Sequence, residues 1–556
     1  MREKRLTNVQ QLFPSEDGNQ QTRQLVLRLI EQLVTGVDDL KNPDGVNLKG
    51  EKNRTGTFYN NLIRDSSIPN GSVPLEEVNT ELLKLLHDHP YHTKNFLTNI
   101  LPMASIPGIM GMIAAFLVNG NNLWDVYGPA GAEAEVRVIS MMSKLIGYDA
   151  LKSGGYTTWG GQGAVFSGLR IATAKFVPDA LQKGVPDNLY AFCSETAHYS
   201  LFKSMEASGI GSDRLIRVRT KSDSSMDVND LRVKMEEVIL RGGIPIYIVA
   251  TTGTTDAMGI DDLEQIYAVS DKLAVHHGLH RPHIHADSAL GGFFAFFNDY
   301  DFAANPLEFK KDVAQALLSI QRKMKHLHLA DSLCFDFQKL GQTPYVTSLF
   351  LVKDAADLRL MDLHPDETPY VGHRGYGQYH TGYTLECSRM ASSISIYSAL
   401  LAFGIQGYQQ LLAQFVEVNL AFREALRQEI PQAEIVNNDN PGIITLFRIY
   451  PEGSPHFQEE ISGKCTLKEI ERNNKFNERL FEMLGNHRDR IFFGDTKKHL
   501  LVQTKDDRSV ALYATKIFVI SPYTEAKHVH DIVQYLKETV AQVYEKYSET
   551  SILSGR

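Results

Sequence analysis

Lys339 stands between Gln338 and Leu340 in CFDFQKLG, at the end of an apolar run. Partial burial among such neighbours disfavours an ammonium and is expected to lower the lysine's pKa, leaving an amine able to form a Schiff base. The plainer reading is a lysine that ends a strand with its head in water. Asp287 closes the apolar run HIHAD, just before SALGG. A carboxylate there needs a cationic or hydrogen-bonding partner. A protonated ring nitrogen would serve, and so would a helix N-terminus or a structural ion pair. His198 and the hydroxyl-rich run Thr251-Thr252-Gly253-Thr254-Thr255 follow two further apolar runs. A fifth feature is Thr157-Thr158-Trp159-Gly160-Gly161-Gln162-Gly163, which leads into the helical AVFSGLRIATAKF. Backbone N–H groups at such a helix start favour an anion, for instance a phosphate, although a glycine turn with a cap reads equally well. The run matches neither GxxxxGK[ST] nor GxGxxG, so neither a nucleoside triphosphate nor a dinucleotide is indicated.

Positioning these groups together requires a particular set of elements. Strand-like runs occur at Leu189–Cys193, Leu215–Val218, Pro245–Ala250, His283–Ala286, Leu333–Phe337 and Thr347–Val352. Helix-like stretches lie between several of them, at Ala164–Ala174, Ser200–Ala207, Val228–Leu240 and Asp261–His276. Strands alternating with helices imply parallel pairing in a doubly wound α/β sheet, whose ligands bind beyond the carboxyl ends of the strands. Continuous apolar strands such as IPIYIVA are expected where helices cover both faces. Past residue 395 the pattern changes to a long helix over Ile396–Leu426, strand-like runs at Ile443–Ile449, Leu500–Gln503 and Ala511–Ile520, and an amphipathic helix over Lys527–Tyr547. The expected organisation is an N-terminal helical arm or layer over 1–118, a large domain over 119–395 and a small α+β domain over 396–556. The arm's helical stripe is Leu25, Leu29, Leu33 and Val37.

Composition narrows the function classes. The chain has 556 residues, 43% hydrophobic and 22% charged, which is the balance of a globular protein. With 57 basic against 66 acidic residues it carries no broad basic field, so nucleic acid is not an expected partner. Cys193, Cys334, Cys387 and Cys465 share no metal-type spacing and are too few to staple the chain, which points to a reducing, cytoplasmic setting with the cysteines as packing residues. The start MREKRLTNVQQLF lacks the apolar core of a secretory signal. Ile100–Val118 is a 19-residue uncharged stretch, about the length of a membrane span. Its Pro102, Pro107, Gly108 and Gly111, and the absence of a flanking basic cluster, favour a buried helix with an irregular entry, and no membrane partner. His276, His277, His280, His283 and His285 are dense, but they cross from a helix through Pro282 into a strand, so their side chains diverge and no metal site is expected. The basic QRKMKHLHLA reads as a solvated helix face.

Together, TAHYSLFKS, TTGTTDAMGID, HADSALGG and DSLCFDFQK, in this order, resemble the group II pyridoxal-phosphate decarboxylases of L-amino acids. The resemblance extends back to NGNNLWDVYGPAGAEAEV (119–136) and forward to YHTGYTLECSRMAS (379–392). It implies fold type I, the aspartate-aminotransferase-like architecture, and a homodimer whose sites lie between subunits. It further implies pyridoxal 5'-phosphate held covalently by Lys339, with Asp287 on the pyridine nitrogen, His198 stacked on the ring, and Ala289 against the other face. Gln162 and Gly163 match the family's phosphate turn, Thr255 its cofactor-side hydroxyl, and Tyr379 a loop tyrosine that returns a proton to the carbanion. In that reading Thr368–Tyr383, with Tyr370, Tyr376, Tyr379 and Tyr383 among glycines, is a lid. Three departures concern the phosphate, the first being that the glycine turn WGGQGAVFSG lacks the family's usual Ser and Asn pattern. Gln338 replaces the usual histidine before the lysine, and it can donate a hydrogen bond but carry no charge. Asp336 stands where many relatives have Asn, and a carboxylate near a phosphate must point away or find a donor. The NGNN segment resembles bacterial tyrosine decarboxylases and the YHTG loop glutamate decarboxylases. The expected activity is decarboxylation of a small-molecule amino acid, aromatic such as tyrosine. The rivals are an acidic substrate, a carbon–carbon lyase of the same fold, and a non-catalytic protein that keeps the fold.

Overall fold

The computed structural model describes residues 9–99, 101–367, 377, 379–486 and 489–553. Contacts group the chain into two units, Met1–Phe96 with His487–Phe492, and Leu97–Asn486 with Phe493–Arg556. In the first unit lie α1 (Gln20–Leu40), α2 (Phe58–Asp65) and α3 (Leu75–Leu85). Asn19 caps α1 by accepting from the Gln21 and Thr22 N–H groups. Asn79 of α3 donates to the Leu29 carbonyl of α1 at 2.9 Å. No residue of α1 is buried, so its apolar stripe is only partly covered.

The second unit opens with α4 (Ile106–Val118) and α5 (Pro129–Ile146). Seven strands then build its main sheet: β1 (Gly154–Thr158), β2 (Leu189–Ser194), β3 (Leu215–Val218), β4 (Ile244–Thr251), β5 (His283–Asp287), β6 (Ser332–Asp336) and β7 (Ser348–Val352), in the order β1-β7-β6-β5-β4-β2-β3. Neighbours from β6 to β3 pair in parallel, and β7 runs antiparallel to both β6 and β1. The sheet is therefore mixed, not wholly parallel. The strand Gly154–Thr158 was not expected as a strand, because GGYTT has too few apolar residues to announce one. Between strands lie α6 (Gly161–Phe176), α7 (Ser200–Ala207), α8 (Val228–Leu240), α9 (Leu263–His277) and α10 (Lys311–Met324). Helices α6 and α7 bury Val165, Leu169, Leu201 and Met205 against Leu189, Ala191 and Ile246 of the sheet. That accounts for the unbroken apolar runs, since β5, β6 and β7 are buried along their whole length.

Next comes α11 (Ser393–Glu429), two helical pieces joined at Gly404, whose φ of 58° and ψ of −172° lie outside helical space. The smaller sheet includes β8 (Ala433–Ile435), β9 (Ile444–Ile449) and β10 (Ala514–Phe518), with β9 antiparallel to both. Two helices, α12 (Leu467–Gly485) and α13 (Val529–Leu553), complete this part.

Helix α4 corrects an expectation. The uncharged stretch is a helix with a proline-rich entry, but only one face is buried. A Cβ on Gly111 would stand 2.6 Å from the Ser395 Cα, so glycine lets this face press onto α11. The opposite face leaves Ile106 79%, Phe116 62% and Leu117 68% exposed. No helix among the described residues is long and apolar enough to cross a membrane. The cysteines are free; Cys193, Cys334 and Cys465 are buried as expected of packing residues, whereas Cys387 is exposed.

Candidate active site

The parallel strands end on one rim, and their last residues or the turns after them line a cavity of about 340 Å³. Thr251 ends β4, Asp287 ends β5 and Asp336 ends β6. His198 follows β2, and the Gly160–Gln162 turn follows β1. Gln162, His198, Thr255, Asp287, Ala289, Gln338 and Lys339 all line this cavity. The rim places them there because helices cover both faces of the sheet, and in such sheets the crevice for a ligand opens beyond the strands' carboxyl ends.

Lys339 lies one turn beyond β6, with its backbone N–H donating to the Asp336 carbonyl at 2.9 Å. Its side chain is 18% exposed, and its Nζ pairs with Asp336 Oδ2 at 2.8 Å. Burial pulls the ammonium down, but the charge and hydrogen bond of Asp336, with Asp287 beyond, outweigh it and raise the pKa above the ordinary lysine value. This corrects the expected lowering. Apolar neighbours alone would free the amine, and a carboxylate at contact distance does the reverse.

Both side-chain hydrogen bonds of Asp287 are accepted by Oδ1, from the Ala289 N–H at 3.3 Å and the Cys334 thiol at 3.5 Å. His198 is partly buried, and burial lowers its pKa, so it is neutral at pH 7. The Ser200 N–H donates to its Nδ1 at 3.2 Å, which places the proton on Nε2.

The phosphate-turn residues are arranged differently from expectation. The Gln162 amide donates to the Ser200 carbonyl at 3.0 Å and to Ser204 Oγ at 2.9 Å, tying α6 to α7. Gly163 does not line the cavity. Its N–H donates to the Gly160 carbonyl, and a Cβ on it would stand 3.0 Å from the Trp159 ring. Gly160 makes the turn possible with φ of 120°. The Gln338 amide is likewise occupied, donating to Ser348 Oγ at 2.8 Å and accepting from the Thr347 N–H at 2.8 Å. What the turn offers an anion is backbone, not these side chains.

Tyr379 is not brought to the cavity. Its phenol donates to Glu135 Oε2, and burial with that carboxylate raises its pKa. Glu135 is fully buried and also accepts from the Thr157 N–H and hydroxyl, each at 2.7 Å. Arg389 completes the cluster with a two-pronged ion pair to Glu135, and donates to the Thr157 carbonyl at 3.1 Å and to Thr381 Oγ1 at 2.9 Å. The two outlying motifs thus meet behind β1. Tyr370 and Tyr376 lie outside the described residues.

Thr251 of the hydroxyl-rich run also lines the cavity, as do Tyr199, Tyr345 and Leu290, which were not singled out from sequence. Tyr345 follows Lys339 by six residues in a Pro-Tyr pair, a spacing with no meaning until the turn is folded. Among the described residues no cluster of His, Cys, Asp and Glu can hold a metal. A larger cavity of about 840 Å³, lined by Glu195, Lys221, Arg427 and Glu434 among others, contains none of the groups above.

The residues fit a pyridoxal group. An amine, a carboxylate, a neutral imidazole and the small Ala289 share one cavity. So does Thr251, whose buried Oγ1 has no partner and awaits a ligand hydrogen bond.

A family model described as the pyridoxal-dependent decarboxylase conserved domain matches residues 61–449. The chain is 25% identical over 371 residues to an L-2,4-diaminobutyrate decarboxylase of Acinetobacter baumannii, covering 62% of this chain and 66%, just under two thirds, of that protein. It is 23% identical over 493 residues to an aromatic-L-amino-acid decarboxylase of Bacillus atrophaeus, covering 84% and 88%. The crystal structure of Oryza sativa TDC with PLP and tryptamine superposes with a TM-score of 0.74 at 16% identity, covering 95% of this chain and 100% of that one. That likeness establishes the fold, the expected fold type I.

Proposed function

The chain belongs to the pyridoxal-dependent decarboxylase family, and we propose that it removes the carboxylate of an L-amino acid as CO2 and releases the amine, with pyridoxal 5'-phosphate as cofactor. The observation that carries this reading is the convergence of Lys339, Asp287, Ala289 and His198 on one cavity at the strand ends. When bound, the cofactor supplies the sink for the electron pair that CO2 leaves on Cα. Lys339 would hold it through its amine, Asp287 its ring nitrogen, Ala289 and His198 its ring, and the Gly160–Gln162 backbone with Thr255 its polar groups. Asp287 keeps a proton on the ring nitrogen by supplying the opposite charge. His198 donates from Nε2 and orients the substrate carboxylate, which fixes the bond to be broken. Among the described cavity residues Lys339, His198, Tyr199 and Tyr345 carry side-chain groups that can transfer a proton to Cα.

The substrate we favour is aromatic. Among the described lining residues the basic side chains are Lys339 and His198, both committed, so neither is free to pair with an acidic side chain. Tyr199, Tyr345 and Leu290 offer apolar wall instead. We also propose a homodimer, because α4 and α11 expose the large apolar side chains Ile106, Met110, Phe116, Leu117, Leu401 and Ile405, which a partner surface would cover. A reducing, cytoplasmic setting accords with four unpaired cysteines.

The test is CO2 and amine release from L-tyrosine, L-tryptophan and L-phenylalanine against L-glutamate, L-aspartate and L-2,4-diaminobutyrate. Borohydride-treated protein is analysed alongside for added mass on the Lys339 peptide. Amine from the aromatic set is expected. Release from the acidic substrates or from diaminobutyrate alone overturns the substrate reading, aldehyde in place of CO2 points to a carbon–carbon lyase, and no mass on Lys339 overturns the enzyme reading.

A further inference from the structure

Asp336, three residues before Lys339, has surroundings that give it a definite task. It ends β6 with its side chain 4% exposed. One oxygen accepts from Ser348 Oγ at 2.6 Å, and the other lies 2.8 Å from Lys339 Nζ. The same carboxylate sits under the glycine turn, 3.0 Å from where a Cβ on Gly161 would stand. Ser348 is held in turn by the Gln338 amide, so Gln338 and Asp336 form one buried chain leading to the lysine.

We propose that Asp336 is a positioning residue that clamps Lys339 as an ammonium and sets the pH at which the lysine can capture its cofactor. This rests on the reading of Lys339 as the cofactor lysine. The charged or titratable groups facing the lysine are Asp336 and Cys334 from β6, Asp287 from β5, His198 from the turn after β2, and Tyr345 from the turn before β7. With His198 neutral, two carboxylates face one cation, and Asp336 is the one in contact. Only the free amine adds to an aldehyde carbon. The ammonium must first give its proton to solvent; the nitrogen–carbon bond then forms as the aldehyde oxygen leaves as water. A clamp that favours the ammonium moves this capture to higher pH. An asparagine, equal in size and uncharged, releases the clamp.

The full-length protein freed of cofactor is exposed to pyridoxal 5'-phosphate, and separately to pyridoxal, from pH 6 to 10. Borohydride then reduces the carbon–nitrogen bond, and the Lys339 peptide is quantified by mass. Asp336→Asn is expected to move the midpoint of capture down by at least about one pH unit with both probes. Asp336→Glu, which keeps the charge, is expected to stay near the unaltered protein. An unchanged or higher midpoint in a folded Asp336→Asn protein overturns the proposal while leaving the cofactor reading intact. So does a shift seen only with the phosphate-bearing probe, since the residue would then act by repelling phosphate. If unaltered protein takes up neither probe at Lys339, the cofactor reading itself fails, and this proposal with it. Asp336→Ser carries the same test if the asparagine variant does not fold.

Discussion

Replacing Arg389 by Met should loosen the segment that carries Tyr379 more than any other single change outside the cavity. Arg389 and Glu135 are both buried, and one guanidinium nitrogen lies 3.2 Å from Glu135 Oε2. At an effective dielectric of about 20 that contact alone is worth roughly 5 kcal/mol of Coulomb energy, before desolvation offsets much of it. Removing one partner is costlier than the net worth of the pair, because Glu135 is left charged in the interior. Breaking a buried pair in this way costs about 3–5 kcal/mol. The cluster joins the Thr157 end of β1, the Asn122 carbonyl and Thr381, so the loss should appear as local opening there. A chain of this size does not unfold in one step, so global denaturation is the wrong readout. Native hydrogen exchange is the right one, at the Thr157 amide, which donates to Glu135 at 2.7 Å, and at the Thr381 amide, which donates to the Leu123 carbonyl at 2.9 Å. Each 1.4 kcal/mol is tenfold, so exchange should quicken about a hundredfold or more. The double variant Glu135→Leu with Arg389→Met should lose less than the two single losses added together. Unchanged exchange in Arg389→Met, or strict additivity in the double variant, would refute the claim that this pair holds the two motifs together.

Other outcomes follow from the same geometry. Tyr379→Phe removes one hydrogen bond to a buried carboxylate, about 1.5–3 kcal/mol of local stability, yet should retain amine production. Loss of amine with normal exchange would restore the proton-donor role. Asp287→Asn should lower kcat by about 10²–10³-fold with the fold intact by circular dichroism, because the site loses the charge facing the ring nitrogen. Stability should rise with pH between about 4 and 6.5. Burial holds His283 and His499 down to about 4 and His285 to about 3, so over that window the unfolded chain binds more protons than the folded one. Asp261, pushed up to about 7 by burial, has the opposite slope between its ordinary value and 7, and burial raises Asp357 and Glu386 in the same sense, but His92, also held down to about 4, makes four histidines against them. Thermal midpoints at pH 4.5 and 7 check the sign, and a higher midpoint at pH 4.5 would contradict it. Phe116→Glu with Leu117→Lys on α4 should convert the proposed dimer to monomer by light scattering, without loss of helix.

Much of the frame was legible because strand and helix periodicity are local. The runs at 189, 215, 245, 283, 333 and 347 are all strands, and the helices at 200–207 and 228–240 fall where their patterns place them. Gly154–Thr158 was missed because Tyr156 is its one core-type side chain, while its glycines allow a close backbone approach: a Cβ on Gly155 would meet the Phe350 carbonyl at 2.1 Å. Glu135 and Arg389 were in view within two motifs but had no visible purpose, since 254 residues separate them. Tyr379 was chosen among neighbouring tyrosines on the family resemblance, and a resemblance does not say which way a phenol turns.

Sequence by itself determined the residue types at the strand ends, and with them the class of chemistry, because an apolar strand must end where the chain turns and a sheet delivers such ends to one rim. It also set Gln338 and Asp336 beside the lysine. Only the tertiary structure decided what those two do. Proton affinity depends on charges within a few ångströms, and Asp336, Asp287 and His198 come from three strands whose distances no sequence separation records. Hence the apolar neighbours of Lys339 foretold a free amine, while the folded site holds an ammonium.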